Sequence, residues 1–439
     1  MPHQHVSVRI VHLVNRHDDK PSAGHGHWLN HALKNSCISG GIDFVIAGSL
    51  HNKDAGVNKV LSLSKLQRIR LTYWPWFGLA KDFSTLVNLL QDTSRKETIL
   101  HVYEGGLREF MLVSLIKAHQ PNLRIIFNFN LVDPWHISIL NGGGISRQIW
   151  KLMSKSDLKT SGGVLFTAET KELANLLSTR FDANFLEYPL PSLLPDSGNF
   201  ARDREFNFFI PVFGDEELNL VTSALELFSR KKEVAGKVVV QPKWSSSLSD
   251  SSSNKILSLG IKLLPAVLSI DDYLSTIQSS QAIILPYKNV DYYQLQSSGR
   301  MIDAVASGAK VLVPEGTSLA RKVLEKDWGL PFDVRSEKSL AEAMDKILTG
   351  YEPVDKKNLK LTPLDTFQIL LANLPPEHNR YKNMGASKKS QPRFHLWLIG
   401  LLFVTTDFRS FISGMLDLVF FPKSLVKSLS NLFPRRTSP

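Results

Sequence analysis

Short apolar runs recur along the first half of the chain, and within each run neighbouring positions are apolar rather than alternate ones. Residues 7–15 carry Val8, Ile10, Val11, Leu13 and Val14, and residues 43–48, 99–103, 124–129, 164–167 and 185–188 repeat the pattern. A strand covered on both faces needs such a run, and parallel sheets are where such strands occur. Stretches with helical periodicity fill the intervals, at about 28–37, 81–91, 108–119 and 169–180. Strand and helix in alternation predict a parallel sheet with helices on both faces. Pro189, Pro191 and Pro195, followed by polar residues 196–204, predict a linker that ends this unit.

The second half has the same plan. Apolar strands are expected over 206–213, 237–240, 261–264, 282–285 and 311–313, with helices over 218–230, 270–278, 317–325 and 337–348. The serine-rich stretch 245–253 reads as a mobile loop. Residues 282–314 are the most informative, reading strand, loop, helix, strand. The first strand stops at Pro286, a loop bearing Tyr287 follows, and Ser297-Ser298-Gly299 suit a helix N-terminus. Met301, Ile302 and Val305 give that helix an apolar stripe, and Gly308 ends it. Such a unit presents the positive end of a helix at the carboxyl edge of a sheet, where phosphate-bearing ligands bind; an ordinary crossover reads the same way. One more helix is expected over 362–374, with Thr362 as N-cap, Pro363 in the first turn and Pro375-Pro376 as the stop. The boundaries that follow are 1–198 and 205–350 for two Rossmann-like α/β domains, 351–380 for a helix returning to the first, and 381–439 for a tail.

Composition and charge then sharpen the picture. A chain of 439 residues exceeds the usual single core, which fits two domains. Its one cysteine, Cys37, excludes an intramolecular disulfide and fits a reducing compartment. Residues 1–15 show no basic segment ahead of a long apolar core, so no secretory signal is expected. Net charge is +11, but residues 381–439 hold nine Lys/Arg against Asp407 and Asp417 and so carry +7 of it. A nearly neutral body argues against a nucleic-acid binder. Within the tail, the apolar run 396–404 is too short to span a bilayer. Phe408, Phe411, Ile412, Met415 and Val419 share one helical face beside flanking cations, as in helices lying on an anionic membrane surface. Packing of the tail on its own protein or on a second subunit is the alternative.

Candidate chemistry sits where the strands end. Glu104, Asn130, Asp133 and His136 follow carboxyl ends of predicted strands, where open α/β sheets hold ligands. The carboxylates suit general base catalysis or acceptor binding, and the imidazole suits proton transfer. A turn-capping Asp133 and a solvated His136 are the plainer alternatives. Gly24 and Gly26 let a ligand approach the backbone of the first turn, or serve the turn alone. Residues 141–144, Asn-Gly-Gly-Gly, suit a gate over an acceptor cleft. Arg300 in the first turn of the 299–307 helix and Lys243 after a neighbouring strand are cations suited to a diphosphate leaving group; an Arg300–Asp303 surface pair is the plainer reading.

Four segments in order, 24–33, 162–177, 208–214 and 286–314, resemble the GT-B nucleotide-sugar glycosyltransferases, most closely the retaining family 4 type (glycosyl transferases group 1). The resemblance spans about residues 6–350 and implies a hexosyltransferase acting without a metal or other cofactor. Within that frame donor contacts are expected at Gly24, Gly26, Gly214, Tyr287, Ser297, Ser298 and Gly299, with Lys243 and Arg300 as substitute cations, and catalytic roles among Glu104, Asp133, His136 and Asp303. That family carries two glutamates separated by seven residues; here Leu295 stands at the first position and Asp303 at the second. Its basic pair after the opening strand of the second domain is replaced by Gly214-Asp215-Glu216-Glu217. The expected partners are a nucleotide sugar, a lipid-linked or surface-polysaccharide acceptor and an anionic membrane, with no nucleic acid, at the cytoplasmic face of the cell membrane. A sugar-nucleotide epimerase of the same fold, or a degenerate binding or scaffold protein, are the alternatives.

Overall fold

The computed structural model describes residues 8–17, 37, 42–50, 57–59, 79–91, 97–105, 107–129, 162–194, 204–212, 214–230, 234–242, 249–288, 290–350, 352–354 and 362–375. The first half runs β1 (Val8–His17), β2 (Asp43–Leu50), β3 (Val57–Lys59), α1 (Leu79–Gln91), β4 (Glu97–Gly105), α2 (Leu107–His119), β5 (Arg124–Phe129), β6 (Val164–Ala168), α3 (Lys171–Phe181) and β7 (Phe185–Glu187). The second half runs β8 (Phe206–Val212), α4 (Asp215–Ser229), β9 (Val238–Pro242), α5 (Asp250–Ser258), β10 (Lys262–Leu263), α6 (Ile270–Gln278), β11 (Ser280–Ile284), α7 (Val290–Tyr293), α8 (Gly299–Ala306), β12 (Lys310–Pro314), α9 (Ser318–Glu325), β13 (Gly329–Phe332), α10 (Glu337–Thr349) and α11 (Pro363–Asn373).

The strands form two sheets, ordered β3-β2-β1-β4-β5-β6-β7 and β10-β9-β8-β11-β12-β13, with every pairing parallel. In both, the chain works outward from its first strand and then reverses, between β1 and β4 and again between β8 and β11. Loops on the two sides of a reversal point diverge and leave a crevice beyond the strand ends, the usual ligand position in open α/β sheets.

The apolar runs are buried as double-sided coverage requires: β6, β9 and β12 are buried at every position. Each sheet has its own outer core, around Leu100, Val113 and Phe127 in the first and Phe208, Val221 and Met344 in the second. A third cluster is continuous between the lobes, taking Ile10 and Ile99 from one sheet and Phe209 and Ile283 from the other, with Tyr188, Leu190, Val354 and Phe367 among its members. Helix α11 starts with Thr362 and Asp365 in a reciprocal capping box and Pro363 in its first turn, and lays Phe367 against Phe44 and His101 of the first sheet.

Three features go beyond the expectations. The described part of the proline-rich linker after β7 is packed: Tyr188, Leu190, Ser192 and Leu194 are buried. The serine-rich stretch is helical from Asp250, because buried Ile256 anchors one face of α5 and Lys255 reaches Glu226 at 3.1 Å. Strand β13 was not anticipated from its sequence Gly-Leu-Pro-Phe; it pairs with β12 on one side only, and an edge is where a sheet tolerates proline.

Candidate functional site

Helix α8 begins at the reversal point of the second sheet, after the loop that leaves β11. Thr170, Ser269, Thr317, Ser336 and Thr362 each cap their own helix by accepting a backbone N–H from its first turn. Ser298 is as good a capping residue, yet its side chain makes no cap bond; its Oγ lies 3.2 Å from the Tyr287 hydroxyl. Tyr287 is itself buried and stacks on Tyr293 with ring centroids 4.2 Å apart. Two more polar atoms adjoin this N-terminus in sequence: Gln296 Nε2 and Ser297 Oγ are buried without a hydrogen-bond partner among the described residues.

Charge decides which helix end suits an anion. Helix α4 also starts at this reversal point, with Gly214 as its N-cap and no side-chain cap bond. Its first turn holds Asp215, Glu216 and Glu217, which already satisfy the positive end of the helix and repel a second anion. The first turn of α8 contains no acid and does contain Arg300. An anion is therefore favoured at α8, where the helix end contributes about 0.3–1 kcal/mol and up to about 2 in partly buried geometry.

The loop entering α8 is held from both lobes. Ser318 Oγ donates to the carbonyls of Tyr293 (3.0 Å) and Gln296 (2.6 Å), and Thr170 Oγ1 of the first lobe donates to Leu295 O at 2.9 Å. Leu295 packs on the outer core of the first sheet, so an apolar contact occupies the position where the resemblance places a glutamate. Arg321 on α9 pairs with both Glu172 of α3 and Glu325, and Lys322 Nζ lies 2.5 Å from Glu187.

Asp303 is corrected by the structure. It does not lie at the surface, for no part of it is exposed. Its Oδ1 accepts from Ser192 Oγ (3.0 Å) and the Leu193 N–H (2.8 Å), and its Oδ2 accepts from Tyr273 OH (3.0 Å). A carboxylate so enclosed has no face left for substrate. Tyr287, expected at the donor, is buried and meets Ser298 through its hydroxyl.

Of the remaining expected site residues, Ser297, Ser298, Gly299 and Arg300 lie together around the start of α8. Gly214 starts the helix after the adjacent strand. Glu104 is the last residue but one of β4, at the reversal point of the first sheet. Gly24, Gly26, Asp133, His136 and Lys243 fall outside the described residues, as does the whole of 381–439.

One cluster escaped the sequence reading. His12 and His101 face each other from neighbouring strands with Nδ1 atoms 2.8 Å apart, both fully buried. Tyr188 OH lies 3.3 Å from His101 Nε2. Burial first, and His12 second, hold the His101 pKa well below its ordinary value, while burial pushes the Cys37 thiol up to about 12 and raises Tyr188. The signal was a histidine inside each of two apolar runs. Among the described residues no group of three or more His, Cys, Asp or Glu is placed to hold a metal ion, and no helix is long and apolar enough to cross a membrane.

No protein-family model matches the chain, and neither does any curated protein sequence. Solved structures do match. A glycosyltransferase from Rickettsia africae superposes with a TM-score of 0.51 at 12% identity, over 84% of this chain and 94% of the other. WaaG, a glycosyltransferase involved in lipopolysaccharide biosynthesis, gives 0.51 at 11% identity, over 82% and 99%. The UDP-GlcNAc 2-epimerase from Neisseria meningitidis, bound to UDP-GlcNAc, gives 0.50 at 14% identity, over 84% and 100%. At such identities the likeness concerns the fold, and the fold is that of the GT-B enzymes: two parallel α/β sheets, each with one reversal of strand order.

Proposed function

We propose that the protein is a glycosyltransferase that takes its sugar from a nucleotide-sugar donor. The observation that carries this reading is the start of α8: an acid-free helix N-terminus whose N-cap side chain is turned aside to Tyr287, next to Arg300, at the reversal point of a parallel sheet. In this reading the diphosphate lies against Ser297, Ser298, Gly299 and Arg300, with Lys243 as a second cation. During transfer the bond from the sugar's anomeric carbon to the phosphate oxygen breaks, and an acceptor oxygen bonds to that carbon and gives up its proton. The nucleoside diphosphate leaves as an anion, and preorganised N–H groups and a guanidinium stabilise the charge as it develops, with no metal invoked. Gln296 Nε2 and Ser297 Oγ add neutral donors beside that position. Glu104, Asp133 and His136 are the candidates for accepting the acceptor's proton; Asp303 is withdrawn from that role because its oxygens are occupied.

The acceptor in this proposal is a lipid-linked glycan or a surface polysaccharide at the inner face of the membrane. Its support is the basic amphipathic pattern of 394–433, with about 1 kcal/mol per cation near an anionic surface. A second reading is favoured by the epimerase among the structural matches: conversion of a sugar nucleotide without any acceptor. Incubation with common nucleotide sugars, with and without acceptor extract, separates the two. Transfer releases nucleoside diphosphate only when acceptor is present; epimerisation changes the sugar without it. Neither product from any common donor would refute both.

A further inference from the structure

Helix α8 is gripped at several points by the segments that join the lobes. Ser192 and Leu193, on the outgoing crossover, donate to Asp303 in its second turn. The crossover is ordered around that contact: Ser192 Oγ also accepts from the Leu194 N–H at 3.0 Å, and Pro189 O accepts from Thr366 Oγ1 of α11 at 2.9 Å. At the far end of the helix, Arg204 donates to Ser307 O (2.6 Å) and to Ser280 O (2.5 Å) at the start of β11. On the returning segment the Val354 N–H donates to Gly308 O at 3.2 Å. Tyr273 completes the set from α6; burial first, then the neighbouring Asp303, push its pKa well up, so its hydroxyl remains a donor to the carboxylate.

A carboxylate enclosed by three donors costs heavily if any one is removed, because the charge stays buried with less compensation. That expense would be unnecessary if Asp303 only filled space, since a leucine would pack there. Nor does it serve the ligand directly, since none of it is exposed. What it does is fix the crossover segment to the helix whose N-terminus faces the crevice.

We propose that Asp303 is a positioning residue that joins the outgoing crossover, at Ser192 and Leu193, to helix α8, so that diphosphate binding and the setting of the two lobes are one linked equilibrium. The inference rests on the reading that α8 binds the donor diphosphate. A ligand seated on α8 favours the helix position that keeps these bonds, and the same bonds hold the chain between the lobes. By linkage, loosening the crossover weakens the ligand, and ligand tightens the crossover.

Hydrogen exchange at the Leu193 amide and calorimetric titration with UDP, ADP and GDP test this on the full chain. In the wild type, nucleoside diphosphate should slow exchange at Leu193. Asp303→Ala should speed it and weaken binding by about tenfold or more, although the residue does not touch ligand. Asp303→Asn, which keeps an acceptor oxygen for Ser192 and Leu193, should recover most of both effects. Tyr273→Phe, which leaves the crossover bonds in place, should lower stability but leave the affinity of the folded protein near wild type. If Asp303→Ala does not fold, Ser192→Ala must show both effects at smaller size. Binding unchanged in Asp303→Ala or Ser192→Ala while Leu193 exchanges faster would overturn the coupling and leave the donor site standing. No binding of any of the three by the wild type would instead remove the donor reading, and the coupling with it.

Discussion

Phe367 is the residue through which α11 is fastened to the first sheet, and truncating it gives a worked test of that packing. Its ring is fully buried, edge-on to Phe44 (centroids 5.8 Å apart, planes at 73°) and to His101 (5.0 Å, 80°). Complete burial of a phenylalanine is worth about 1.5–3 kcal/mol, and each edge-to-face pair adds about 0.5–1.5. Phe367→Ala should therefore cost about 3–5 kcal/mol, as large-to-small changes at such sites do. Gln368, the next residue on the same helix, is exposed, so Gln368→Ala should stay within about 0.5 kcal/mol. Urea unfolding followed by circular dichroism reads both, with hydrogen exchange at the Leu370 amide reporting on α11 itself. Equal midpoints for the two variants, or unchanged exchange at Leu370 in Phe367→Ala, would show that the helix does not depend on this contact.

The buried histidine pair predicts a pH effect. Since folding holds the His101 pKa below the ordinary histidine value of about 6.5, the unfolded chain binds a proton that the folded one refuses, so stability is full above about pH 6.5 and declines as pH falls toward the folded value. Melting temperature measured between about pH 8 and 5 should show that decline, and it should flatten in the double variant His12→Leu/His101→Leu; an unchanged slope would contradict it. Gly329 should admit no side chain, because a Cβ there would sit 1.8 Å from Val311 O across the β12–β13 pair; Gly329→Ala should fail to accumulate as folded protein, and normal expression with wild-type melting would refute this. Arg321→Ala should loosen the lobe contact by only about 1 kcal/mol, because its pair with Glu172 is partly exposed, and the loss should shrink as salt is raised. Scattering that shows a wider lobe spacing at low salt but not at high salt would agree; a salt-independent difference would not.

Most of the architecture was legible because double-sided burial writes itself as consecutive apolar positions. Strands such as Arg124–Phe129 and helices such as Ile270–Gln278 lie where their residues predict. What failed to read depended on distant partners. The segment after β7 presents prolines, which read as a linker, and its burial depends on Tyr188 and Leu190 joining a core formed partly by the other lobe. Asp303 was visible as a carboxylate at a family position, but its donors Ser192 and Tyr273 lie 111 and 30 residues away in sequence. His12 and His101 each read as an odd residue in an apolar run, and only the β1–β4 register makes them a pair. By contrast, the acid-free start of α8 is built from local residues, Ser297 to Arg300, and its position was readable from the chain alone.

The central claim is that the start of α8 binds the diphosphate of a nucleotide sugar, and Arg300 is its most direct handle. Calorimetric titration of the wild type and of Arg300→Ala with nucleoside diphosphates tests it. Loss of one charge-assisted bond of about 1.5–3 kcal/mol predicts binding roughly ten- to a hundredfold weaker in the variant. Equal affinity in the two proteins, or no binding by the wild type, would contradict the account.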